Sequence, residues 1–193
     1  ETIPADSYLK VLREQVTQAG NAKETLVNGE PPTVGALARL NLGIPLTPLA
    51  SAAFQESRQL MADADIRANN LAQAVELVLA VERSLEIVAT LLSADSAREE
   101  PVFFDIRKGR GSAAVEAPRG VLVHSYNFDS RGICTAADVI TPTAINQAAM
   151  KSDLYTLATR MEGADVEELT GALERLVRAY DPCISCAVHL VRI

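Results

Sequence analysis

The run from residue 64 to 93 constrains this chain more than any other stretch. Leu71, Val75, Val78, Leu79, Leu85, Val88 and Leu92 recur at steps of three, four or seven, the spacing that gathers apolar side chains on one face of a helix. Leu77, Val81, Ile87 and Leu91 widen that stripe, as expected of a helix buried on more than one side. The pattern predicts the core helix of a bundle rather than a face reserved for a partner.

The remaining elements are read around that helix. A polar opening carries a helix over Ser7 to Ala19, and Asn28-Gly29-Glu30-Pro31-Pro32 is a turn cluster. Thr33 to Arg39 is a short apolar segment, broken again from Asn41 to Pro45. Thr47-Pro48 reads as an N-cap followed by proline at the first helical position, opening a helix to about Asp63. Beyond Glu100 the composition turns β-branched and aromatic. Val102 to Ile106 and Val121 to Tyr126 read as strands, with Lys108 to Ser112 a turn-like basic loop between them. Helices follow over Thr143 to Arg160 and Asp165 to Ala179, the second with Asp165 and Glu168 at capping-box spacing. The fold class is therefore mainly α, a helical bundle with a small β region. Residues 1–193 form one domain: helical over 1–100, β over about 101–140, helical again over about 143–179, with a tail at 180–193.

Composition removes several function classes. A formal net charge of -7, 4% aromatics and no tryptophan leave neither the basic surplus nor the stacking platforms of a nucleic-acid binder. No apolar run reaches the roughly 20 residues of a membrane-spanning helix. The opening ETIPADSYLK has no basic n-region or apolar h-region, and its first residue, Glu1, suggests a processed, split or truncated chain. Three cysteines are too few, and odd in number, for a disulfide scaffold; they point to a reducing compartment and a chemical role.

Two of those cysteines sit in Tyr180-Asp181-Pro182-Cys183-Ile184-Ser185-Cys186-Ala187-Val188-His189. Thiols three residues apart can chelate one soft metal, and His189 offers a nitrogen nearby. Spacing alone leaves half a zinc site, a redox pair or part of a larger cluster all open. On the residues alone, Asp181-Pro182 is an ordinary turn and Pro118-Arg119-Gly120 a strand-entry turn with a surface arginine.

Four segments taken jointly change that reading. DPCxxCxxH near the C-terminus resembles the last signature of nickel–iron hydrogenase large subunits. Glu116-Ala117-Pro118-Arg119-Gly120 resembles that family's EAPRG segment, and His124 follows it. Thr141-Pro142-Thr143-Ala144-Ile145-Asn146 and Val34-Gly35-Ala36-Leu37-Ala38-Arg39 resemble two more. Their order and spread, from residue 34 to 189, identify the chain as similar to the C-terminal part of such a subunit. Ser125 to Asp129 and the form of DPCISCAVH look closest to the cytoplasmic, multi-subunit branch.

The resemblance implies a nickel–iron centre with CO and CN on iron, and reversible heterolytic oxidation of dihydrogen. Cys183 would be a terminal nickel ligand and a first proton acceptor, and Cys186 would bridge nickel and iron. Arg119 would hang over the open metal position, with Asp181 orienting it. Pro118 and Thr143 would border the cyanides, and His189 would bind a magnesium or similar ion. Cys134 is expected to be a small buried thiol, and His124 either a supporting donor or a core histidine.

The family's other two nickel thiolates come from an RxCxxC segment that this chain lacks. A chain or segment carrying it is therefore an implied partner. An iron–sulfur small subunit, NAD(P)- or F420-linked electron-transfer subunits, and a maturation protease and chaperone are implied as well. Leu190 to Ile193 resembles an uncleaved precursor tail. Two alternatives stand beside the enzyme reading: an unprocessed or metal-poor precursor held in an assembly complex, and a small zinc protein using Cys183, Cys186 and His189, with Cys134 as a fourth candidate.

Overall fold

The structure is a computed structural model that describes residues 2–17, 23–61, 65–93 and 100–183. Cys186, His189 and the tail Leu190 to Ile193 lie outside the described residues, as do Ala19 and Asp63, the far ends of two predicted helices. The fold is mainly helical with two small sheets, as expected. Among the described residues no helix is long and apolar enough to cross a membrane.

The N-terminal segment corrects the sequence reading. The helix expected from Ser7 is a 3-10 turn over Ala5–Lys10 followed by strand β1, Leu12–Gln15, paired antiparallel with β2, Glu24–Val27. Tertiary partners override the local pattern here. The Tyr8 hydroxyl donates to Asp138, and Lys151 reaches Glu24 at 3.0 Å, so both ends of the segment are tied to distant parts of the chain.

Three short-range elements then build a first core. α1 spans Ala36–Asn41, α2 spans Pro48–Ser57 with a 3-10 extension through Met61, and α3 spans Asn69–Ser93. Leu37, Leu40, Met61, Ala72 and Val75 are buried together, with Phe54 and Leu71 packed against them. Thr47 starts α2 in an unusual way. Its hydroxyl donates to Glu82 of α3 at 2.5 Å instead of accepting from its own helix, and the same carboxylate takes the Leu49 and Ala50 backbone N–H groups. Glu82 thus supplies the acceptor that the open helix end needs.

The expected burial of α3 holds only for one stripe of its first half, where Leu77, expected to widen that stripe, is instead 69% exposed. Val75 is 2% exposed, but Leu85 is 66% and Leu92 83% exposed, with Val81, Ile87, Val88 and Leu91 also in the open. α1 and α2 cover the start of the helix, and no described element reaches its far end.

The β region is a three-stranded antiparallel meander: β3 Gly109–Ala117, β4 Gly120–Phe128 and β5 Cys134–Ile140. The Val121 to Tyr126 strand is present inside β4. Val102 to Ile106 is not a strand; Phe103 is 99% exposed, and a β-branched segment without a ladder partner has nothing to pair with. The supposed loop Lys108 to Ser112 is mostly β3, held by its register with β4 despite its glycines. Cys134, expected to be buried, is exposed at the start of β5, its thiol donating to the Ala136 carbonyl at 3.4 Å.

α4, Pro142–Arg160, and α5, Val166–Tyr180, complete the fold. The Asp165 cap forms as expected, accepting from the Glu168 N–H at 2.9 Å, while α4 begins a residue before the expected Thr143, with Thr141 as its cap accepting from the Ala144 N–H at 3.2 Å. Ala149, Leu176 and Tyr180 join the two helices, and Val123, Ile140 and Ile145 join α4 to the sheet. The Tyr180 hydroxyl donates to Asp153 at 2.6 Å. Burial first, and then that bond, push its phenol well above the ordinary range.

Candidate functional site

The site is built where α5 stops. Asp181, the residue after the helix, has a left-handed backbone with φ 48° and ψ 54°. Aspartate tolerates this region better than most residues, but it is still strained next to a proline. The carboxylate is held in compensation. Arg119 donates from Nε to the Asp181 carbonyl at 2.7 Å and from its terminal nitrogen to Oδ1 at 3.1 Å, and Nε lies 2.9 Å from Oδ2. Gln73 of α3 donates to Oδ2 at 3.0 Å. A helix end, a guanidinium and an amide therefore fix one carboxylate from three directions.

Arg119 owes its position to the β3–β4 hairpin, whose turn it shares with Pro118. Gly120, buried at φ 130°, follows at the start of β4, and a Cβ there would collide with the Val34 side chain. Gly35, at φ 123°, meets the same turn from the other side; its added Cβ would lie 3.2 Å from the Arg119 carbonyl. These two glycines let the two backbones approach closely.

The same approach is locked by side chains. Asn146, buried on α4, accepts from the Val34 N–H at 2.8 Å and donates to the Val34 carbonyl at 3.1 Å, pairing with that backbone as a neighbouring strand would. Thr143, one turn earlier and also buried, accepts the Cys183 N–H at 3.1 Å, which leaves its own hydroxyl proton to be donated elsewhere. Arg39 reaches the carbonyls of Ala117 at 3.0 Å and Pro118 at 2.9 Å.

The four sequence segments thus close into a ring. Residues 34–39 bond to 116–120 through Arg39 and to 141–146 through Asn146. Residues 141–146 bond to the tail through Thr143, and the tail returns to 116–120 through Asp181 and Arg119. Pro118, Arg119, Thr143, Asp181 and Cys183, far apart in the chain, come together. Cys186 and His189 lie outside the described residues. His124 turns aside: its Nδ1 is 2.6 Å from the Tyr126 hydroxyl on the same strand. Arg39, Gln73 and Asn146 had no role assigned from sequence. The one available signal was the polar positions Asn69, Gln73 and Glu76, which interrupt the α3 stripe at helical spacing.

The ring brings the backbone of one cysteine and one guanidinium together. The family model of nickel-dependent hydrogenases matches residues 28–189, which takes in all four segments, and the chain belongs to that family. It is 36% identical, over its full length, to sulfhydrogenase 1 subunit alpha of Pyrococcus furiosus, of which it covers 45%. It is 41% identical to sulfhydrogenase 2 subunit alpha of the same organism, over 89% of this chain and 42% of that subunit. The crystal structure of an NAD+-reducing NiFe-hydrogenase in the H2-reduced state superposes with a TM-score of 0.78 at 32% identity, covering 96% of this chain and 43% of that one. The chain therefore spans less than half the length of the catalytic subunits it resembles.

The residues present fit a nickel–iron group. Cys183 is a soft donor of the kind nickel takes. It stands beside a permanent cation, Arg119, which suits anionic ligands and developing charge. Among the described residues no cluster of three or more His, Cys, Asp or Glu gathers. Cys183 is the thiol-bearing residue that the described ring holds. The separate zinc reading rested on Cys183, Cys186 and His189, with Cys134, exposed on β5, as its optional fourth ligand; family membership points to the hydrogenase reading instead.

Proposed function

We propose that this chain forms part of the catalytic subunit of a cytoplasmic hydrogenase and supplies one wall of its active site. The observation that carries the reading is the closed ring, which sets the Arg119–Asp181 pair beside the backbone of Cys183. When bound, a nickel–iron group with CO and CN on its iron supplies the centre at which dihydrogen is split heterolytically.

Within that frame Cys183 and Cys186 would hold the metal group through their thiolates, which suit a soft metal such as nickel. Pro118 and Thr143 border the cyanides, with the Thr143 hydroxyl proton as a donor, and His189 takes a magnesium or similar ion. Arg119 presents a fixed, always-charged fork over the reacting position, where a preorganised cation stabilises developing negative charge. Asp181 keeps that fork aimed, because both carboxylate oxygens and the carbonyl of the same residue are engaged with it. The Cys183 sulfur would be the first group to take up the proton when dihydrogen is split.

The partners follow from what the chain leaves uncovered. Leu85, Val88 and Leu92, on the far half of α3, are each more than half exposed. The remainder of the subunit, carrying the RxCxxC thiolates, covers the far half of α3. The relatives' names, subunits alpha of sulfhydrogenases, support a multi-subunit complex. An iron–sulfur small subunit, an electron-transfer subunit linked to NAD(P) or F420, and a maturation protease and chaperone complete the set.

Metal analysis with infrared spectroscopy of the purified complex tests this reading. Nickel and iron with CO and CN bands are expected, and stoichiometric zinc without those bands would overturn it. Cys183→Ser should abolish metal assembly. Arg119→Lys should keep metals and bands while lowering kcat on the order of 100-fold or more, since a flexible point charge does not reproduce the fork. Full activity in Arg119→Lys would remove the role given to it.

A further inference from the structure

Arg39 has no place in the chemistry above, yet its guanidinium is the most fully used side chain near the site. Nε and one terminal nitrogen grip the two oxygens of Glu76 at 2.7 and 2.5 Å. The terminal nitrogens also reach Glu116 at 2.6 Å and the carbonyls of Ala117 at 3.0 Å and Pro118 at 2.9 Å. Those five bonds match the five N–H donors a guanidinium owns. Its side chain is largely buried, and its pKa is raised, first by the Glu76 hydrogen bond, so the charge is permanent.

Glu76 belongs to a polar row on α3. Asn69, Gln73 and Glu76 stand at i, i+4 and i+7, on one helix face. Asn69 donates to the Ala179 carbonyl at 2.9 Å and accepts the Leu37 N–H at 3.1 Å. Gln73 holds the Asp181 carboxylate, and Glu76 holds Arg39. One rigid helix thus touches both arms of the site: the tail through Asn69 and Gln73, and the Pro118–Arg119 turn through Glu76 and Arg39.

We infer that this α3 row is an alignment ledge, and that Arg39 and Gln73 are positioning residues that set the Arg119–Asp181 pair from its two sides. The inference rests on the hydrogenase reading for its consequence in catalysis, but the hold on the two loops is a property of this chain alone. A bond to a main-chain carbonyl next to Arg119 fixes where that side chain starts, and a bond to Asp181 fixes where it ends. A lysine at 39 keeps the charge on Glu76 but has three donors on a flexible stem, so it cannot also span both carbonyls.

Arg39→Lys and Gln73→Met, each in the purified complex, test the idea with amide hydrogen exchange and with kinetics. Arg39→Lys should speed exchange in peptides covering 116–121 about ten-fold, an opening cost of about 1.4 kcal/mol. Gln73→Met should do the same for peptides covering 179–183. Exchange over 150–158 in α4 should be unmoved in both. Each variant should keep its metals and the KM for dihydrogen while losing on the order of 10- to 100-fold in kcat, the scale of a small misplacement. The two losses should combine sub-additively with Arg119→Lys, because all three disturb one pair. Unchanged exchange in the named peptides would overturn the inference, and so would faster exchange with undiminished kcat. A complex without CO and CN bands would instead count against the hydrogenase reading, and the exchange data would still decide whether the ledge holds the loops.

Discussion

From Asn69 to Leu79, α3 is packed by α1 and α2 on its apolar side and bonded through Asn69, Gln73 and Glu76 to the site segments. From Val81 to Ser93 the same helix keeps its apolar spacing and leaves it uncovered. Periodicity therefore records that a face will be buried, without recording by what. The first half is satisfied within this chain. The second carries Leu85, Val88 and Leu92 at the same spacing, and the chain spans less than half of its relatives' length. The polar residues show the same division: in the first half they join distant segments, while beyond Glu82 the side-chain bonds among the described residues are local ones, such as Arg83 to Glu86 at 2.7 Å.

The first test lies in the covered half. Asn69→Ala strips partners from the Leu37 N–H and the Ala179 carbonyl, both in buried surroundings, and should cost about 3 kcal/mol. Denaturant unfolding of the purified complex measures it. A loss below about 1 kcal/mol would show the two groups finding other partners, and would weaken the contrast between the halves.

The second test compares the halves directly. Val75→Ala, in the covered half, should cost about 2 kcal/mol. Leu85→Ala is the sharper probe. A leucine that stays in water costs within about 0.5 kcal/mol when truncated, whereas a covered one costs about 2–4. In the assembled subunit Leu85→Ala should fall in the second range and weaken retention of the remaining part of the subunit. A value near zero would mean that the far half of α3 stays open in the complex.

How far this was readable in advance differs by segment. The four segments of the ring are legible only jointly, through their resemblance to one family, since each alone reads as an ordinary turn or apolar stretch; α2 and α5 are legible from the Thr47-Pro48 start and the Asp165 cap. The N-terminal helix was misread because its polar pattern admits several structures, and Tyr8 with Asp138 and Lys151 with Glu24 decide between them across more than a hundred residues. β3 was missed because Gly109, Gly111 and Ser112 have little strand preference of their own and are held by β4. Arg39 lay inside a recognised segment, but its function depends on Glu76, Ala117 and Pro118, none of them near it in sequence.

Glu82 stands at the border between the two halves and should give the smallest effect. Its carboxyl sits below the ordinary range because it accepts first from the Thr47 hydroxyl and then from the Ala50 and Leu49 N–H groups. A carboxyl with a lowered folded pKa adds stability above its unfolded value of 4.5, and loses it as the pH falls through the folded one. Glu82→Gln keeps an oxygen acceptor and removes the charge that favours the α2 N-terminus. The variant should melt slightly below the wild type at neutral pH, and the gap should close as the pH drops well below 4.5. A gap that persists in acid would mean that packing, and not charge, makes Glu82 the hinge point between the covered and the open half of α3.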